Sequence, residues 1–195
     1  MNKITEERFE KFCDSHDLCA SCELRDAGRT TAECKKAFET SYLNKQYDFY
    51  IAAPFFNKEQ VERVELVENM LREKGYTFFS PRTDSAVEDI NNPENRKKVF
   101  ALNHQSIDSS DRIIAITDGK DAGTLWESGY AYAKNIPIIY VAFTLGKAQF
   151  NLMLAESGVA ACRTEQELSN AIDGREIYFE GDIEESVYTL FLLGG

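Results

Sequence analysis

The residue whose type and position most clearly could do chemistry is Glu127. It follows an apolar run, residues 112–117, of the kind that makes a strand buried on both faces. A polar turn, Asp118-Gly119-Lys120-Asp121, and then Gly123 separate the two. Trp126, Tyr130 and Ala133 recur at helical spacing, which puts Glu127 in about the first turn of a helix. A carboxylate just past the C-terminal end of a strand lies where open α/β sheets bind ligands. The helix N-terminus favours its ionised form, and an ionised carboxylate is a competent nucleophile. The same placement also suits a carboxylate that only serves the helix dipole, and spacing alone leaves both readings open.

A second group with chemical potential lies at the other end of the chain. Four of the five cysteines, Cys13, Cys19, Cys22 and Cys34, fall within residues 1–45, with His16 between the first two. Cys19-Ala20-Ser21-Cys22 has the spacing of a metal-ligand pair, flanked by two further thiols. A tetrahedral structural zinc on these four cysteines would hold together a segment with too few large apolar residues for a core. The other readings are free thiols, or disulfides, which a reducing compartment disfavours.

The elements that must position Glu127 follow from the pattern after Lys45. Residues 47–54 read as a first core strand, and residues 58–74 as a helix with Val61, Val64, Leu66, Val67, Met70 and Leu71 as its apolar stripe. Gly75 stops that helix. Residues 76–80 form a second strand, residues 82–93 a loop long enough to be functional, and residues 94–107 a helix with Val99, Phe100, Leu102 and Ile107 inward. The strand before Glu127 and its helix come next, then a fourth strand at 137–143. A short helix is expected from Asn151, a fifth strand at 158–162, and a helix at 164–172 with Thr164 and Glu167 as a capping box. Strand and helix alternating at this rhythm imply a flavodoxin-like or Rossmann-like parallel sheet with helices on both faces. The expected organisation is therefore a cysteine-rich segment, 1–45, and an α/β domain, 46–195. The apolar end, residues 187–195, should pack on the domain or on another subunit.

Composition narrows the function classes. A chain of 195 residues, 43% hydrophobic, suits one cored domain with a small appendage. A formal charge of −11 argues against a broad basic face for nucleic acid, though not against a single nucleotide. No apolar run approaches a membrane span and no signal peptide opens the sequence, so the expectation is a cytoplasmic protein without a membrane partner.

From residue 49 to 172 the sequence resembles the nucleoside 2-deoxyribosyltransferase family. The resemblance rests on Asp121, Gly123 and Glu127-Ser128-Gly129-Tyr130-Ala131, on Tyr50-Ile51-Ala52-Ala53-Pro54-Phe55-Phe56, and on Asn151-Leu152-Met153. It implies that Glu127 attacks C1′ of a deoxynucleoside and that Tyr50 hydrogen-bonds Glu127. By the same resemblance Asp121 holds the sugar hydroxyls or assists acid chemistry, Phe55 and Phe56 sandwich the base, and Gly123 lies at the site. Asn151, with Met153, is supplied to a neighbouring subunit's site, which implies a dimer or a multiple of dimers. The implied partners are deoxynucleosides and nucleobases, and the chemistry needs no metal or organic cofactor. One departure stands out. Many members carry an aspartate where Asn103 stands, and an amide cannot protonate the departing base, so either another group protonates it or Asn103 only recognises it. Hydrolysis of nucleosides or 5′-monophosphates is the first alternative, with Ser109, Ser110 and Ser128 as candidate phosphate-binding hydroxyls. A non-catalytic nucleotide sensor is the second. The cysteine segment lies outside this match and resembles small cysteine-rich pieces of phage-encoded proteins.

Overall fold

The computed structural model describes residues 32–34, 45–145, 149–175, 177, 179 and 181–183. The chain divides into two units, 1–45 and 46–195.

In the second unit, five strands form one parallel sheet: β1 (Tyr47–Ala52), β2 (Phe78–Phe79), β3 (Ser110–Ile116), β4 (Ile138–Val141) and β5 (Ala160–Cys162), in the order β2-β1-β3-β4-β5. That is the flavodoxin-like order, with its switch point between β1 and β3. The helices are α1 (Lys58–Glu73), α2 (Pro81–Asp84), α3 (Pro93–Asp108), α4 (Ala122–Ala133), α5 (Leu152–Ser157) and α6 (Glu165–Ile172).

Period-two alternation sorts the strand side chains between two cores. Phe49 and Ile51 of β1, with Ile114 and Ile116 of β3, pack under Val64, Val67 and Leu71 of α1 and Leu168 and Ile172 of α6. Tyr50 and Ala52, with Ile113 and Ala115, face the opposite side, under Ile107 of α3 and Ala131 of α4. This alternation carries the functional geometry, because it aims Tyr50 at the helix that bears Glu127. Both faces of the central strands are dry, which accounts for their near-continuous apolar sequence.

The helix ends follow their sequence signals. Asn57, Asn92, Asp121, Asn151 and Thr164 each cap a helix by accepting a backbone N–H. Thr164 and Glu167 form the expected capping box. Gly75, at φ 77°, takes the left-handed conformation that stops α1.

Two expectations need correction. The stretch 82–93 is not wholly loop, because Pro81 at a helix start begins the one-turn α2. Its position is set by Glu68, a residue of α1 that hydropathy did not mark. Glu68 is 1% exposed, accepts from Ser80 Oγ at 2.7 Å and pairs with Arg82 at 2.7 Å and Arg72 at 3.1 Å. In α3, Ile107 is buried as expected, but Phe100 and Leu102 are exposed, at 57% and 40%. Phe100 shares the face of Ile107 but stands two turns further out, where that face opens on the cleft beside α4, and Leu102 lies on a different face. No helix among the described residues is long and apolar enough to cross a membrane.

Candidate active site

The crevice at the switch point lies beyond the C-terminal ends of β1 and β3. The loop after β1, residues 53–57, and the turn after β3, residues 117–121, form its rim. Gly119 at φ 88° and Lys120 at φ 53° make that turn, which a β-branched residue would resist.

Asp121 caps α4. Its Oδ2 accepts from the Thr124 backbone N–H at 2.8 Å and from Thr124 Oγ1 at 3.1 Å. A Cβ on Gly123 would lie 3.0 Å from that same carboxylate oxygen, so the glycine lets the cap sit close. Glu127 lies in the second turn of α4 rather than the first, beyond the strongest reach of the helix N-terminus, and is half-buried. The Tyr50 hydroxyl, reaching across from β1, donates to Glu127 Oε1 at 2.6 Å. Tyr50 is fully buried, and its ring stacks on Phe79 with centroids 5.7 Å apart and planes 8° from parallel. The hydroxyl is therefore held at one place by a rigid core.

Burial pushes the Glu127 carboxyl up to about 7. The hydrogen bond from Tyr50 pulls against that rise, and the negative charge of Asp121 adds to it. Burial, and then the facing Glu127 charge, drive the Tyr50 hydroxyl well above the ordinary phenol range, so it stays a donor. A desolvated carboxylate with one oxygen fixed, on a residue that lines a cleft, is arranged for attack on carbon.

A cleft of about 350 Å³ opens beside Glu127, between α3 and α4. Phe100, Asn103, His104 and Ile107 line it from α3, and Gly123, Trp126 and Glu127 from α4. Asn103 Oδ1 is buried with no hydrogen-bond partner among the described residues. An orphaned buried acceptor costs free energy unless a ligand supplies the donor.

Phe55 and Phe56 sit on the β1 loop, 37% and 76% exposed. Their rings stack on each other with centroids 5.7 Å apart, an ordinary stacking distance, so no base fits between them and the implied sandwich is not formed. An outer ring face remains for stacking. Asn151 and Met153 are not in the Glu127 cleft of their own chain. Asn151 caps α5 by accepting from the Met153 N–H at 3.0 Å. It lines a separate cavity of about 390 Å³, together with Thr117, Leu125 and Leu154. Met153 is 74% exposed. The candidate phosphate-binding hydroxyls are elsewhere. Ser109 and Ser110 lie at the opposite end of β3, and Ser128 Oγ donates to the Thr124 carbonyl at 2.7 Å.

Two residues that fix the rim were not legible. Gln60 Oε1 accepts from the Phe56 N–H at 2.8 Å, tying the β1 loop to α1. The buried Asp118 accepts from the Phe143 and Thr144 N–H groups, tying the β3 turn to the chain after β4. Their partners belong to separate elements, so no local pattern announces them. Of the zinc candidates, Cys13, Cys19 and Cys22 lie outside the described residues, and Cys34 forms no disulfide. The apolar end at 187–195 also lies outside them.

Comparison with known proteins bears on the family and the fold. The family described as nucleoside 2-deoxyribosyltransferase matches residues 49–169. The solved structure of a 2-deoxyribosyltransferase from the psychrotolerant bacterium Bacillus psychrosaccharolyticus is 33% identical. It matches with a TM-score of 0.57, over 63% of this chain and 90% of that one. A conserved protein of Enterococcus faecalis V583 matches at 23% identity and a TM-score of 0.45, over 75% of this chain and 85% of that one. No curated protein matches the sequence.

Proposed function

The chain belongs to the nucleoside 2-deoxyribosyltransferase family, and on that premise we propose that it transfers 2-deoxyribose between nucleobases through a covalent bond to Glu127. The ionised Glu127 carboxylate attacks C1′ of a deoxynucleoside. The C1′–N bond breaks through an oxocarbenium-like transition state, and its electron pair leaves with the base. A second base then attacks C1′ and releases the carboxylate, with net retention, by the logic of retaining glycoside chemistry. Tyr50 orients the nucleophile and, as a hydrogen-bond donor, stabilises the charge that returns to Glu127 when the carboxylate departs. Asp121 stands at the mouth of the site to meet the sugar hydroxyls, Gly123 leaves room there, the outer face of Phe55 or Phe56 stacks on the base, and Asn103 accepts a hydrogen from it.

The observation that carries this reading is the 2.6 Å contact between Tyr50 and Glu127. It selects one oxygen of a desolvated carboxylate and leaves the other for carbon. The test is to incubate the protein with deoxyinosine plus adenine or cytosine. A new deoxynucleoside is expected. Free hypoxanthine alone would make the protein a hydrolase, and no consumption would make it a sensor. A 5′-monophosphate substrate is disfavoured, because Ser109, Ser110 and Ser128 lie away from the cleft or are engaged.

The active form in this proposal is a dimer or multiple of dimers. Asn151 and the exposed Met153 complete a neighbour's site, which accords with their absence from the Glu127 cleft of their own chain. A structural zinc on Cys13, Cys19, Cys22 and Cys34 completes the proposal. Metal analysis of purified protein should find one zinc per chain, and a value well below that removes the site.

A further inference from the structure

A departing nucleobase needs a proton as well as a nucleophile at C1′, and neither Asn103 nor Asp121 is placed to give one. An amide has no transferable proton. The Asp121 Oδ2 is engaged by Thr124, and Asp121 is not among the residues that line the cleft between α3 and α4. Two titratable side chains do line it, Glu127 and His104. We propose that His104 is the acid–base residue of the transfer, protonating the base that leaves and deprotonating the base that enters. This rests on the reading of Glu127 as the nucleophile.

His104 packs against aromatic rings on both α3 and α4. It lies between the rings of Phe100, 6.0 Å away, and Tyr130, 4.4 Å away. Tyr130 is three residues beyond Glu127 on α4, on the same helical face, so His104 sits within about one turn of the nucleophile. Its Nδ1 faces Asp108 Oδ2 at 3.9 Å. Asp108 is itself held, accepting from the Tyr130 hydroxyl at 2.9 Å with Lys134 Nζ at 3.6 Å. A carboxylate on the Nδ1 side favours the charge of the imidazolium and leaves Nε2 as the nitrogen for the base. Asp108, Tyr130, Lys134 and Glu127 are the charged or titratable groups that α3 and α4 bring to this ring.

The step balances. As C1′ bonds to Glu127, the C1′–N9 pair passes into a purine ring and the Nε2 proton goes to N7 of that ring. His104 becomes neutral. In the second half the neutral imidazole takes the N–H proton of the incoming base while its nitrogen bonds C1′ and Glu127 leaves as carboxylate. General acid catalysis of this kind contributes about 10²–10⁴-fold.

The experiment compares two donors with wild type and His104→Gln. Deoxyadenosine needs a proton to release adenine. N7-methyl-2′-deoxyguanosine carries its positive charge already and releases a neutral base without one. His104→Gln should lower kcat/KM for deoxyadenosine by about 10²–10⁴-fold and leave the methylated donor nearly unchanged, which also shows that the variant is folded. An equal loss on both donors would reduce His104 to packing, and no loss on either would exclude it; both overturn the proposal. If wild type forms glycosyl product from neither donor, the transferase reading falls along with it.

Discussion

Tyr50 and Glu127 are 77 residues apart in the sequence and 2.6 Å apart in the folded chain, hydroxyl to carboxylate. The sheet order explains the meeting. β1 lies directly beside β3, Tyr50 pairs in register with Ile113, and α4 returns across the face that Tyr50 occupies. A fixed hydroxyl on one oxygen of a buried carboxylate gives a directional nucleophile.

Tyr50→Phe should keep the fold, because the ring still stacks on Phe79 and only the hydroxyl is lost. A hydrogen bond to a charged group is worth roughly 1.5–3 kcal/mol, so the rate should fall about ten- to a hundred-fold. The bond also holds down the Glu127 pKa, so the pH at which activity appears should move upward in the variant. Steady-state rates across pH check both. An unchanged rate would make Tyr50 a core residue only.

On N7-methyl-2′-deoxyguanosine, which needs no proton from His104, kcat/KM of the wild type should rise with pH as Glu127 ionises through about 7. Stability should run the other way. A carboxyl whose folded pKa is raised contributes stability that is fully present below its ordinary unfolded value and is lost as pH rises through about 7. The loss is on the order of 3 kcal/mol. Glu127→Gln removes this dependence, so the variant should gain stability relative to wild type as pH rises from about 5 to about 8. Denaturant melts at the two pH values test the sign. A variant equally destabilised at both would mean that Glu127 is not the desolvated group described here.

What could be read before folding was whatever one element decides alone. The β3 run, the Thr164 capping box and the position of Glu127 past a strand are local features, and they stood where their residues implied. Phe100 and Leu102 misled, because Leu102 lies off the Ile107 face and Phe100, though on that face, meets an open cleft instead of core. Glu68, Gln60 and Asp118 were silent for another reason. Each is polar and ordinary in its own segment, and becomes structural only when Arg82, Phe56 or Thr144 is brought to it from elsewhere. His104 belongs to the same class, since its relation to Glu127 exists only across the α3–α4 cleft.

Assembly can be tested by complementation. If Asn151 serves a neighbour's site, Asn151→Ala and Glu127→Gln should each be nearly inactive alone. Mixed and allowed to exchange, they should regain activity, because a mixed dimer has one site with both residues intact. Random exchange into symmetric dimers restores about a quarter of wild-type activity. A fully active monomer by sedimentation, or no recovery in mixed dimers, would show that Asn151 only caps α5.

Glu127→Gln also decides between a catalyst and a binding protein. The change is nearly isosteric, and the amide oxygen still accepts from Tyr50, so the cleft and nucleoside affinity should survive. The anionic nucleophile is gone, and turnover should fall by several orders of magnitude, within the range set by loss of a covalent step. The intermediate can be caught directly. A 2′-fluoro-2′-deoxynucleoside slows formation and breakdown of the glycosyl ester, because fluorine withdraws charge from the oxocarbenium-like transition state. Intact-protein mass after mixing should show wild type heavier by one fluorodeoxyribosyl group, and peptide mapping should put it on Glu127. The Gln variant should gain no mass. An adduct on another residue, or undiminished turnover by the Gln variant, would remove Glu127 as the nucleophile. Transfer without any adduct, accompanied by inversion at C1′, would replace the covalent route with direct displacement.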